Sequence, residues 1–130
     1  MIDPKDATEK VAFILLTQDG ELGAPVYQDV PDNTPPPVVI IGDITFEPLP
    51  GLKDDVDGRG TLEIVTIVQG DERKPIFPLQ KGIKDRLRGA KVVEDGWRIK
   101  FNFTGDSAQL DETGTNYVGF SRFDFLALRA

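Results

Sequence analysis

Apolar positions along this chain switch between a helical and an alternating period, and the switches mark out its elements. Ala7, Val11, Ile14 and Leu15 fall at helical spacing. Asp3-Pro4 ahead of them offers a capping side chain and a proline suited to a first turn, with Asp6 and Glu9 near the positive end of the helix dipole. Asp19-Gly20 is a stop signal, so a helix is predicted over about 4–18. Its run Val11 to Leu16 is apolar all round, which predicts burial on more than one side.

Turn signals at Asp19-Gly20, Gly23-Ala24-Pro25 and Pro31 to Thr34 follow, with Val26 to Val30 between the last two as an edge strand. Pro35-Pro36-Pro37 favours extended backbone and leads into Val38-Val39-Ile40-Ile41. Pro37 to Pro48 therefore reads as a long strand, with a bulge or bend where Gly42 lacks a side chain. Leu49 to Gly60 is rich in Gly, Pro and Asp, and β-branched residues return over Thr61 to Val68, which predicts a long hairpin with an extended tip. Ile76, Leu79 or Gln80, Ile83 and Leu87 restore the helical period over Pro75 to Arg88, with Gly89 as its cap.

Trp97, Ile99, Phe101 and Phe103 alternate with Arg98, Lys100, Asn102 and Thr104, the signature of a half-buried antiparallel strand. After a turn at Asp111 to Thr115, the apolar parity of Tyr117 to Leu128 shifts once, predicting a bulge or two-sided burial near Arg122. The predicted order is αβββαββ, an α+β domain with two helices packed on one face of an antiparallel sheet. At 130 residues the chain is predicted to be one domain, residues 1–130.

Composition narrows the chemistry. Zero Cys and zero His remove disulfides, thiolate metal sites, cysteine nucleophiles and the commonest general base. No apolar run approaches the length that spans a bilayer as a helix, and the acids near the N-terminus are unlike an export signal. The net charge of -7 opposes nonspecific attachment to nucleic acid or anionic membrane. That charge is uneven: residues 1–57 hold 12 acids against 3 bases, whereas residues 58–100 hold 10 bases against 6 acids. Two complementary surfaces are one reading of this asymmetry, and independent solvated faces the other.

Asp54, Asp55, Asp57 and Gly58 resemble a fragment of an oxygen-ligand calcium loop, but the distal Glu of such a loop is missing, and a solvated hairpin tip is the simpler reading. Glu94 with Asp95 and Asp111 with Glu112 lie in turn-like segments, where paired carboxylates lack the burial that acid/base work needs. Lys81, Lys84, Arg86 and Arg88 form a basic helix face without interleaved aromatic residues for base stacking, so a solvated or partner-facing helix is expected there. No nucleotide motif, catalytic set, cofactor site or metal site emerges.

The whole layout resembles a family: the small tail-completion or tail-terminator proteins of long-tailed bacteriophages and gene transfer agents. The resemblance rests on an N-terminal helix before Val26-Tyr27-Gln28-Asp29-Val30, on the strand Pro37-Val38-Val39-Ile40-Ile41-Gly42-Asp43, and on a long hairpin loop before Leu62 to Val68. A basic helix ending Leu87-Arg88-Gly89-Ala90 and a terminal Phe125-Leu126-Ala127-Leu128 complete it. The second helix departs from the commoner Ala- and Glu-rich pattern by starting Pro75-Ile76-Phe77-Pro78. What the resemblance implies is a structural protein of the virion tail, assembled in the host cytoplasm. It would form a homo-oligomeric ring, often six-membered, that ends tail-tube growth and meets the head connector. The implied partners are further copies of the chain, a tail tube protein and a head-tail connector protein. DNA would pass through without specific binding, and no membrane is involved.

Lys81, Lys84, Arg86 and Arg88, with Asp54, Asp55 and Asp57, are the candidate contact residues on the charge argument. The other readings are a different head-tail connector or minor tail component, a small-ligand or nucleic-acid binding module, and a carboxylate-based hydrolase.

Overall fold

The computed structural model describes residues 2–18, 20, 22–49, 57–70 and 72–130. Its elements run α1 (Pro4–Thr17), β1 (Val26–Tyr27), β2 (Val38–Pro48), β3 (Gly58–Gln69), α2 (Ile76–Leu87), β4 (Lys91–Glu94), β5 (Trp97–Leu110) and β6 (Asn116–Arg129). The sheet order is β1-β2-β3-β6-β5-β4. The α+β architecture is as expected, with two corrections. Lys91–Glu94 adds a strand, making the order αβββαβββ, and β1 runs parallel to β2, so the sheet is mixed rather than antiparallel.

Helix α1 starts where the sequence places it: the Asp3 carboxylate accepts from Lys5 N at 2.8 Å, and Pro4 occupies the first turn. Its buried face is Ala7, Thr8, Val11, Ala12 and Leu16, so Ile14, expected inside, faces out. Helix α2 buries Ile76, Leu79, Gln80, Ile83 and Leu87, the stripe read from the sequence. The two helices share one core with the same sheet face, in which Val39, Ile41, Leu62, Ile64, Trp97, Ile99, Phe101, Phe123, Phe125 and Ala127 are all buried. Within it Phe125 stacks on Phe46 at 6.3 Å between centroids, and Phe123 meets Phe103 edge-on at 5.5 Å. A side chain at Gly60 would collide with the Phe125 ring and Thr45 O, so glycine lets β2 and β3 close over that ring.

The sheet is curled, and α1 contacts β1 and β2 near one end of the strand order and β4 and β5 near the other. Trp97 fixes the far side by donating Nε1–H to Ile2 O at 2.8 Å. The expected bulge on β2 lies between Ile41 and Ile44. The irregularity expected near Arg122 sits across from it, between Phe103 and Gly105 of β5. Strand β6 itself alternates regularly: Phe123, Phe125 and Ala127 face the helices, whereas Phe120, Leu126 and Leu128 are half-buried on the outer face. Two-sided burial, rather than a bulge in β6, explains its mixed parity.

Candidate functional site

The basic residues of α2 do not act as one patch. Lys81 pairs with Asp85 at 2.7 Å on the helix surface and holds that carboxyl below its usual range. The Lys84 ammonium lies 5.0 Å from the centre of the Phe103 ring, over β5. Arg86 turns away from solvent: its Nη1 donates to Leu16 O at 2.7 Å, Gln18 O at 3.1 Å and Gly20 O at 3.3 Å. These carbonyls close the C-terminal end of α1, which has no basic residue in its own last turn. Arg88 alone of the four is exposed beyond the helix end, at the cap position.

Of the acidic candidates, Asp54 and Asp55 lie outside the described residues. Asp57 is a structural acceptor, taking a 2.7 Å hydrogen bond from Arg129 N and so tying the start of β3 to the end of β6. Glu94 and Asp95 pair with Lys10 at 3.0 and 3.4 Å, which joins β4 to α1. Among the described residues no group of three or more carboxylates converges on a point where a cation could sit.

Lys84 and Lys81 instead belong to a feature the sequence did not single out. A cleft of about 420 Å³ separates α2 from the upper half of β5 and is lined by Arg73, Phe77, Gln80, Lys81, Lys84 and Asp106, with Ser107 and Ala108 as its floor. The buried Gln80 spans it, donating Nε2–H to Ser107 O at 2.7 Å over Gly119, where any side chain would strike the amide. Phe77 is 53% exposed beside it and Leu110 is 49% exposed at the end of β5. The sequence marks this surface through Lys81 and Lys84, read as partner-facing bases, and through Phe77 in the Pro75-Ile76-Phe77-Pro78 start of the helix, but nothing in the residues shows that they border one cleft. A second groove, of about 500 Å³ and lined by Leu22, Pro36, Pro37, Val68, Pro78 and Leu79, runs between α2 and the start of β2.

The outer face of the sheet, opposite the helices, divides in two. Val38, Ile40, Val65, Ile67, Val118 and Phe120 form an apolar block across β2, β3 and β6. Beyond the bulges it becomes polar, with Thr45 and Thr61 hydroxyls 2.7 Å apart, Arg59 on Glu47 at 3.3 Å and Arg122 on Glu63 at 3.1 Å. This geometry offers extended surfaces, strand edges without a partner strand among the described residues, and charged rims.

No protein-family profile matches the sequence, and no curated protein matches it. Among solved structures the fold is similar to a chain of the virion of a native gene transfer agent particle, with a TM-score of 0.78 at 16% sequence identity over 94% of this chain and 95% of that one.

Proposed function

We propose that this chain is a structural virion protein of a phage or phage-like particle, and within it the tail terminator. In this role it forms a ring at the head-proximal end of the tail tube, ends tube polymerisation and joins the tube to the head connector. The observation that carries the reading is the likeness of the fold to a gene transfer agent virion chain, over 94% of this chain and 95% of that one. The tail-terminator resemblance in the sequence supports the finer role, and the extended, charge-rimmed surfaces described above suit contact with other proteins.

The test is addition of the purified protein to polymerising tail tubes of the source particle, followed by electron microscopy. A ring at one tube end, and tubes that stop lengthening, are the expected result. Density at the head vertex with tube growth unaffected would instead favour the other reading, a connector component. Protein that binds neither would remove the chain from the head-tail junction altogether.

A further inference from the structure

Two stretches of strand in this fold present backbone groups that no strand of the described residues takes up. On β5, Asp111 N donates to Asn116 O at 2.9 Å. Antiparallel partners alternate between bonding each other and pointing away, so Gln109 and Ser107 bond β6, while Leu110, Ala108 and Asp106 turn N–H and C=O outward. The strand on that side, β4, pairs only with Trp97 to Lys100. On β2, Leu49 N donates to Asp57 O at 3.0 Å. By the same alternation Glu47 and Thr45 bond β3, and Phe46 and Ile44 face away. The strand on that side, β1, reaches only Val39 and Ile40.

These free stretches lie near opposite ends of the strand order, run antiparallel to each other and carry matching faces. On the helix side Ile44 and Phe46 of β2 correspond to Ala108 and Leu110 of β5, with exposed Phe77 beside the cleft above them. On the outer side Thr45 and Glu47 correspond to Ser107 and Gln109. Natural edges are usually blunted by Lys, Pro or bulges. Here the bulges precede both stretches, and Asp106 to Leu110 contains neither Lys nor Pro. We infer that these edges pair with each other between copies of this chain, the Ile44–Pro48 segment of one copy adding as a strand to Asp106–Leu110 of the next. The inference rests on the assembly reading above and names the surface that carries it.

One register uses the outward groups on both edges: Ile44 opposite Leu110, Phe46 opposite Ala108 and Pro48 opposite Asp106. It forms about five backbone hydrogen bonds, and Pro48, which has no N–H, serves only as an acceptor at the end. Ile44 and Phe46 then continue the apolar side beneath Phe77 and Leu110. Because the joined edges differ, the contact is head-to-tail, the kind that closes into a ring when the rotation per copy allows.

The chain contains no cysteine, which makes a crosslink test clean. Thr45 and Gln109 face each other in this register but within one copy are separated by β3 and β6, roughly 14 Å of sheet, too far for a disulfide. The variant Thr45→Cys with Gln109→Cys, oxidised under assembly conditions with and without tail tubes, is expected to give a ladder of covalent multimers. Each single variant should stop at the dimer. Ala108→Pro removes one outward N–H from an edge position; it should keep the parent's circular dichroism and melting temperature yet weaken assembly at least tenfold. Parent rings seen by mass measurement without a ladder above the dimer in the double variant overturn this interface and leave the assembly reading standing. A parent that stays monomeric alone and on tubes overturns the assembly reading, and this interface with it.

Discussion

Thr66 and Ser121 are fully buried beneath the helices, and neither hydroxyl has a hydrogen-bond partner among the described residues. An unmet buried hydroxyl costs roughly 1–3 kcal/mol, so Thr66→Val, which keeps the shape, is expected to raise the melting temperature. Calorimetry reads this directly. Glu9 on α1 is held above the usual Glu value near 4.5 by burial first and then by the charges of Asp29 and Asp6. Its ionised form is therefore penalised in the folded state, and stability is lost as pH rises through the folded value. Glu9→Gln should melt higher than the parent at about pH 7, with the gap closing at about pH 4. Arg86 is the residue whose role the sequence hides most. Its position among basic neighbours groups it with a surface charge run, whereas its three carbonyl contacts make it the clasp on the end of α1. Arg86→Ala is expected to lose about 2 kcal/mol in denaturant unfolding, the scale of hydrogen bonds from a charged group. Arg88→Glu should change stability by less than about 0.5 kcal/mol.

At the scale of elements, both helices and the long strands were legible because each buries one stripe or one face, and the period of burial is written in the residues. Asp3-Pro4 and the Ile76, Leu79, Ile83, Leu87 spacing place the helices to within a residue or two. Strand β4 was not legible: Lys-Val-Val-Glu is four residues long, leaves Val93 60% exposed, and owes its strand to pairing with Trp97 to Lys100. The parallel pairing of β1 was equally silent, since Val26 and Tyr27 carry no mark of strand direction. For the candidate surfaces, charge was visible but its use was not. Side-chain direction decides that Lys81 meets Asp85, Lys84 covers Phe103 and Arg86 turns inward. The edges of β2 and β5 left without a partner strand among the described residues follow from the short reach of β1 and β4, which no local pattern records.

For the molecule as a whole, the -7 charge bears on assembly and on DNA. Lys84→Glu with Arg88→Glu is expected to leave the fold intact, with a small loss from the Lys84 contact to Phe103. The double variant should nevertheless slow assembly, and the parent's own assembly should weaken with salt, because rim charges steer encounter more than they hold the complex. Assembly of the double variant at the parent's rate in both low and high salt would show that this helix face is merely solvated. Duplex DNA should be retained weakly at about 0.15 M salt, since an acidic protein releases few counterions on contact. A filter-binding titration against salt checks it.

Strand β6, which follows all the other strands of the sheet in chain order, sits at its centre, between β3 and β5. During synthesis α1 and the β2–β3 hairpin emerge early, and β4 with β5 follow, yet these two groups have no strand in common until Asn116–Arg129 has been made. The core aromatics Phe123 and Phe125 arrive with it. A nascent chain can therefore hold two hairpins but not a native subunit, and a product cut short before β6 offers two unjoined halves instead of a subunit with matched edges. In the assembly proposed above, this topology works as a proofreading step: only chains that include β6 become building blocks.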